Sequence, residues 1–139
     1  MKTNKISIIT VTKNSEKFLK ENIKSVLKQN YKNYEHIFVD GNSTDNTIKI
    51  IRSYKKKVKL IQNKNDKGLY DAMNVGIKYA KGDIIGILNS DDYFYDNALE
   101  IVKTYFEKKP EIDFLFGSVH KFTLRHGFFP KKVYWTFNF

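Results

Sequence analysis

Short runs of β-branched and aromatic residues recur along this chain, and stretches of helical period separate them. The runs are Ile6-Ser7-Ile8-Ile9-Thr10-Val11-Thr12, Ile37-Phe38-Val39, Val58 to Ile61, Ile84-Ile85-Gly86-Ile87-Leu88 and Phe114-Leu115-Phe116. The first helix is predicted from a cap at Asn14 or Ser15 to about Gln29, with Phe18, Leu19, Ile23, Val26 and Leu27 on one face. The second follows the turn Gly41 to Asp45 and carries Ile48, Ile51 and Tyr54. The third sets Leu69, Met73, Ile77 and Ala80 on one face, with Gly82 as its stop and with Tyr70 and Met73 read as core residues. The fourth runs from about Asn97 to Lys108, closed by Pro110. Apolar residues spaced for one helix face alternate here with short buried-strand runs. Strands joined through helices pair in parallel. The expectation is therefore an α/β fold, a three-layer sandwich with a mostly parallel central sheet and helices on both faces.

The bulk numbers narrow the class. At 139 residues and 41% hydrophobic the chain suits one folded domain rather than a disordered one. It has no cysteine, which removes disulfides and thiolate metal sites. No apolar run approaches the ~18 residues that span a bilayer, and no small-residue cleavage site follows the first residues, so no signal peptide is expected. The net charge of +10 suits an anionic partner. Its lysines are nevertheless scattered, and the one run, Lys55-Lys56-Lys57, falls where a helix should end, a favourable place for cations. The plain reading of this charge is a solvated lysine-rich surface. The sharper reading, from the charge and the aromatic tail together, is a cytoplasmic protein in peripheral contact with the inner face of an anionic membrane. Residues 1–117 read as the domain and 118–139 as an aromatic-rich tail, with Phe122, Phe128, Phe129, Tyr134, Trp135, Phe137 and Phe139.

In an open parallel sheet, ligands bind beyond the carboxyl ends of the strands. The polar residues just past those ends are Thr12, Lys13 and Asn14; Asp40, Asn42, Ser43 and Asp45; Asp66, Lys67 and Asp71; and Asn89, Ser90, Asp91 and Asp92. Asp91 and Asp92 stand out. Two adjacent carboxylates after a buried strand repel unless a cation, a proton or hydrogen bonds compensate them. A hard divalent ion held by one or two carboxylates and completed by phosphate oxygens suits such a pair. The competing reading is a helix cap, which the intervening Tyr93-Phe94-Tyr95 disfavours. Asp40 reads equally well as a turn residue before Gly41, and Asp71 as a carboxylate favoured in a first helical turn.

Taken together, these segments resemble family 2 of the GT-A glycosyltransferases. Ile6 to Asn14 looks like the family's first strand. Val39-Asp40-Gly41-Asn42-Ser43-Thr44-Asp45-Asn46-Thr47 looks like its second-strand motif. Asp66-Lys67-Gly68-Leu69-Tyr70-Asp71-Ala72-Met73-Asn74-Val75-Gly76 is similar to a motif of a bacterial surface-polysaccharide subgroup. Gly82-Asp83 with Leu88-Asn89-Ser90-Asp91-Asp92 resembles the strand bearing the metal-binding Asp-x-Asp. The resemblance runs from about Ile6 to Gly117. It implies a Rossmann-like GT-A fold and transfer, with inversion, from a nucleotide-diphosphate sugar to a saccharide or lipid-linked acceptor in polysaccharide or lipopolysaccharide synthesis. By the same resemblance Val11, Lys13, Asp40, Asp66, Asp71, Asn89 and Asp91 would line the nucleotide-sugar pocket. Asp91 and Asp92 would hold Mn²⁺ or Mg²⁺.

The departures are specific. Asn89 stands where the Asp-x-Asp motif begins, and Asp92 adds a second carboxylate. Gly41 stands where many family members carry an acid. The family's acceptor-side base lies well beyond the metal motif, whereas here Asp113 is the last acidic residue. His120 and His126 are the titratable alternatives. The chain is accordingly expected to be a truncated enzyme or fragment, incomplete on its acceptor side. One rival reading is donor binding without turnover. Another is a basic nucleic-acid-binding domain, which the carboxylates gathered at the expected cleft oppose; no nucleic-acid partner is expected. A dinucleotide oxidoreductase is disfavoured because no Gly-x-Gly-x-x-Gly follows a strand.

Overall fold

A computed structural model of the chain describes residues 4–117, 119–121 and 131–133, the last six as backbone only. The unit Met1–Lys108 alternates β1 (Ile6–Thr12), α1 (Leu19–Leu27), β2 (Tyr34–Asp40), α2 (Thr47–Ser53), β3 (Lys59–Gln62), α3 (Leu69–Tyr79), β4 (Ile84–Ile87) and α4 (Ala98–Lys108). Its four strands form one sheet in the order β3-β2-β1-β4, and every pair is parallel. In register, Ile9 of β1 lies opposite Ile37 of β2 on one side and Ile87 of β4 on the other.

Side chains alternate across the sheet and so build two apolar layers. On one face, Ile6 and Ile8 of β1 pack with Val26 of α1, Leu99 of α4, and Ile84 and Leu88. Phe38 of β2 packs there against Leu19 and Ile23 of α1 and Ile51 of α2. On the other face, Ile37 and Val39 meet Ala72 of α3. A strand covered on both faces reads as a continuous apolar run, which is why Ile6 to Thr12 was legible. The expected three-layer α/β sandwich is the observed one.

Four local expectations are corrected. First, Phe114-Leu115-Phe116 is not a strand. These residues are irregular, and Phe114 and Phe116 are 80% and 79% exposed. A three-residue apolar run makes few ladder bonds, and period alone does not separate it from an extended loop. The unit Lys109–Phe139 contains instead an antiparallel pair, β5 (Val119–Lys121) and β6 (Lys131–Val133), with Val119 opposite Val133. The tail aromatics Phe122, Phe128, Phe129, Tyr134, Trp135, Phe137 and Phe139 lie outside the described residues, as do His126 and the side chain of His120.

Second, α1 begins at Leu19, not beside Asn14. Phe18 takes the cap position without a side-chain cap bond. Asn14 adopts the left-handed conformation, φ 50°, and belongs to a loop.

Third, α3 is rotated from its expected face. Ala72 and Gly76 are its buried residues, whereas Tyr70 is 79% exposed and Leu69 and Ile77 are exposed. A Cβ on Gly76 would lie 2.5 Å from Ile9 Cγ2 and 3.2 Å from Val39 Cγ2. The helix approaches the sheet so closely that only small residues fit between, and the large ones turn away. Tyr70 is therefore a surface residue, not a core one, and Met73 is only partly buried.

Fourth, Gly82 is not a left-handed helix stop. The helix has already ended, and Ala80 is extended. A Cβ on Gly82 would lie 2.6 Å from Lys5 O and 2.7 Å from Ser7 N, so glycine is required there by close approach to the start of β1.

Candidate functional site

All four parallel strands end at the same edge of the sheet, and their loops leave from it. Two backbone bonds carry the pairing one residue past the strands: Gly41 N–H donates to Thr12 O at 2.9 Å, and Leu88 N–H to Ile9 O at 3.0 Å. The loops after β1 and β2 are laced by side chains. Asn14 N–H donates to Ser43 Oγ at 2.9 Å, and Asn14 Oδ1 accepts from Thr44 N–H at 2.8 Å. Ser15 N–H donates to Thr47 Oγ1, and Glu16 N–H to Asp45 Oδ2. Asx- and Ser/Thr-rich loops do this because short polar side chains compete well for local backbone partners.

Asp40 anchors this lacing. It is fully buried, and its carboxylate accepts from Thr12 Oγ1 at 2.8 Å, Ser43 N–H at 2.9 Å and Ser43 Oγ at 2.6 Å. Burying a carboxylate is costly unless it is hydrogen-bonded; here both oxygens are. These bonds are those of the turn reading of Asp40. Val11, one residue from the end of β1, is partly buried on the α3 face.

Asp66 reaches the same edge from the loop after β3. Its Oδ2 lies 3.3 Å from Lys13 Nζ, and its Oδ1 accepts from Gly68 N–H at 3.0 Å. The carboxylate also fills the space beside Gly41, where a Cβ would fall 2.5 Å from Asp66 Oδ2. Asp71, in the first turn of α3, accepts from Asn63 Nδ2 at 3.3 Å. The structure therefore gathers Lys13, Asp40 and Asp66 around Gly41, and ties Asp71 to the strand-three loop.

The remaining residues follow β4, the neighbour of β1. Asn89 to Asp92 form a tight turn closed by Asp92 N–H donating to Asn89 O at 3.1 Å. The side chain of Asn89 donates to Asp92 Oδ2 at 2.9 Å. Asp91 sits at the corner, and both aspartates are exposed. Among the described residues no cluster of three or more His, Cys, Asp and Glu side chains forms. Two exposed carboxylates with no third protein acid suit a hard cation that takes its other ligands from phosphate and water, the pattern typical of Mg²⁺. The donor set fits the implied ion.

Sequence reasoning missed the residues beneath this turn. Asn22 and Gln29 of α1 and its flank are buried polar side chains. Together with Ser25 they bond the backbone of residues 89–99. The available signal was Asn22 itself, a polar residue set between Leu19, Ile23 and Val26 on the buried arc of the helix.

Comparison with known proteins bears on the family and the fold. The model of "Glycosyl transferase family 2" matches residues 7–137. An Escherichia coli protein, UDP-Glc:alpha-D-GlcNAc-diphosphoundecaprenol beta-1,3-glucosyltransferase WfgD, is 38% identical over 114 residues, covering 81% of this chain and 45% of that protein. Putative glycosyltransferase EpsE of Bacillus subtilis is 39% identical over 108 residues, 75% of this chain and 39% of that one. The chain thus spans less than half the length of these curated relatives. In structure it is similar to S. aureus TarS 1-349 in complex with UDP-GlcNAc, with TM-score 0.73 and 32% identity over 76% of this chain and 32% of that one. Motifs, sheet order and these likenesses agree on a GT-A fold, and the chain belongs to glycosyl transferase family 2.

Proposed function

We propose that this chain is the nucleotide-sugar-binding part of a glycosyltransferase that moves a sugar from a UDP-linked donor to a saccharide or lipid-linked acceptor in cell-surface polysaccharide synthesis. The observation that carries the proposal is the edge of the sheet. There Lys13 and Asp66 meet beside Gly41, and an exposed aspartate pair follows the adjacent strand. The printed names of the relatives support the donor class, since WfgD is named for UDP-Glc and TarS was solved with UDP-GlcNAc.

On this proposal Val11, Lys13 and Asp66 line the nucleoside, and Asp40 contributes through the loop that its carboxylate holds. Asp71 borders the donor side, and Asn89 and Asp91 border the diphosphate. Asp91 and Asp92 would hold Mn²⁺ or Mg²⁺, which when bound supplies positive charge against the leaving diphosphate. Asn89 restrains the Asp92 carboxylate, so that part of the cost of ordering it is met before ligand arrives. The lysine-rich surface, net +10, suits weak contact with an anionic membrane where a lipid-linked acceptor would be met. No helix among the described residues is long and apolar enough to cross that membrane.

The test is titration calorimetry of the chain with UDP and GDP, with Mn²⁺ and in EDTA. Metal-dependent binding with a preference for UDP is expected. Equal affinity with and without metal would overturn the metal bridge, and no binding of either nucleotide would overturn the whole reading.

A further inference from the structure

Asn22 brackets the aspartate turn from below. Its Nδ2 donates to Asn89 O at 2.8 Å and to Asp92 O at 2.9 Å, the carbonyls of the first and last residues of the turn. Both hydrogens of one amide are thereby spent on one four-residue segment. Asn89 O in turn also accepts the turn's own closing bond from Asp92 N–H. Without this support the turn has little to hold it, because Leu88 to Asp92 lie outside regular structure and Asn89, Asp91 and Asp92 are exposed.

The support continues along α1. Ser25 Oγ donates to Asn22 O at 2.8 Å and accepts from Phe94 N–H at 3.1 Å. Gln29 Nε2 donates to Tyr95 O at 2.8 Å, and Gln29 Oε1 accepts from Leu99 N–H at 3.1 Å at the start of α4. The spacing of 22, 25 and 29 keeps these side chains along one flank of the helix. A polar rail on α1 thus carries the chain from the aspartate turn to the next helix.

One atom of this arrangement serves no structural end. Asn22 is fully buried, yet its Oδ1 has no hydrogen-bond partner. An apolar residue would bury without leaving that oxygen unpaired, but it could not bond Asn89 O or Asp92 O. Packing alone therefore does not account for asparagine here; the two bonds to the turn do.

We infer that Asn22 is the positioning residue of the Asp91–Asp92 turn: it sets the turn's backbone so that the two carboxylates are presented together before any cation or diphosphate arrives. The inference rests on the proposed role of those carboxylates for its consequence, but not for its geometry. The discriminating substitution is Asn22→Leu, which keeps the heavy-atom count and branching, removes the unpaired oxygen and removes both bonds. Two measurements are made on the full chain. Amide hydrogen exchange at Asp91, Asp92 and Tyr93 is followed without ligand, and UDP binding is titrated against Mn²⁺ concentration and in EDTA.

Exchange at the turn is expected to accelerate at least about ten-fold, beyond any change shared by the amides of the sheet. The Mn²⁺ concentration giving half-maximal UDP binding should rise roughly ten-fold, while binding in EDTA stays within about two-fold of wild type. A residue with a merely structural role would change exchange and melting temperature but leave the metal dependence alone. Unchanged exchange at the turn overturns the inference. If exchange accelerates but the wild-type chain shows no metal dependence, the positioning stands and the metal reading falls. Should the leucine variant fail to fold, Asn22→Ala carries the same two measurements, with the same outcomes deciding.

Discussion

The Asp66 carboxylate stands where a side chain on Gly41 would stand: a Cβ at position 41 would lie 2.5 Å from Asp66 Oδ2 and 2.9 Å from its Cγ. Glycine at 41 and aspartate at 66 are therefore one feature of this edge of the sheet, although 25 positions separate them in the chain. Gly41→Ala is expected to push the carboxylate aside and break its 3.3 Å contact with Lys13. Lys13 is 64% exposed, so the lost ion pair is worth little to stability; Gly41 itself is buried, and overpacking there costs about 1–3 kcal/mol unless the Asp66 side chain swings clear. UDP affinity should fall several-fold all the same. Calorimetry beside urea denaturation separates the two effects; a loss of stability with unchanged UDP affinity would show that Asp66 is only a loop brace.

Asp92→Ala and Asp40→Ala should fail in different ways. Asp92 is exposed and restrained by Asn89, so its loss should weaken metal-dependent UDP binding at least ~10-fold with little effect on folding. Asp40 is buried and holds Thr12 and Ser43. Its removal leaves buried donors unpaired, at roughly 1–3 kcal/mol, and loosens the nucleoside side at any metal concentration. Titrations at limiting and saturating Mn²⁺ separate the two. Rescue of Asp40→Ala alone by extra metal would reverse the assignment.

Gly82→Ala should be among the most damaging small changes. Its new methyl would meet backbone, Lys5 O at 2.6 Å and Ser7 N at 2.7 Å, which cannot rotate away. Overpacking of this kind costs about 1–3 kcal/mol. Gly86→Ala is the control, since its Cβ meets only Ser7 O at 4.0 Å. The urea midpoints of the two variants should differ clearly, and equal midpoints would mean that the strand start yields to the turn.

His36 makes stability pH-dependent. Burial pushes its pKa from 6.5 down to about 3, because the charged ring has no water and its Nε2 meets only Thr10 Oγ1 at 2.9 Å. The unfolded chain therefore takes up a proton that the folded chain refuses. Stability from this group is complete above about pH 6.5 and falls as pH drops toward about 3, by up to about 1.4 kcal/mol per pH unit. Urea denaturation between pH 7 and pH 4.5 should show this slope in wild type and a shallower one in His36→Gln. Parallel slopes would place the pH dependence elsewhere.

Membrane contact is tested by co-sedimentation with anionic and neutral vesicles. Lysines near an anionic surface contribute about 1 kcal/mol each, so binding to anionic vesicles that salt abolishes is expected. Indifference to lipid charge would leave the basic surface to solubility alone.

The sequence by itself determined the layered α/β plan, the strand ends and the aspartate turn. Those features are local: β-branched runs such as Ile6 to Thr12, helical periods, and polar residues just past a strand are written in consecutive residues. It did not determine which face of α3 is buried, because Leu69, Ile77 and Tyr70 looked apolar enough to be core. Only the tight approach of the helix at Gly76 to Ile9 turned Ala72 inward. Nor could it separate Phe114 to Phe116 from a strand, since pairing needs a partner edge that three residues do not specify. The neighbourhood of Gly41 and Asp66, and the grip of Asn22 on the aspartate turn, are contacts between residues 25 and about 70 positions apart. Sequence period carries no information at that range; the parallel sheet, by stacking β3, β2, β1 and β4 with their ends aligned, created both.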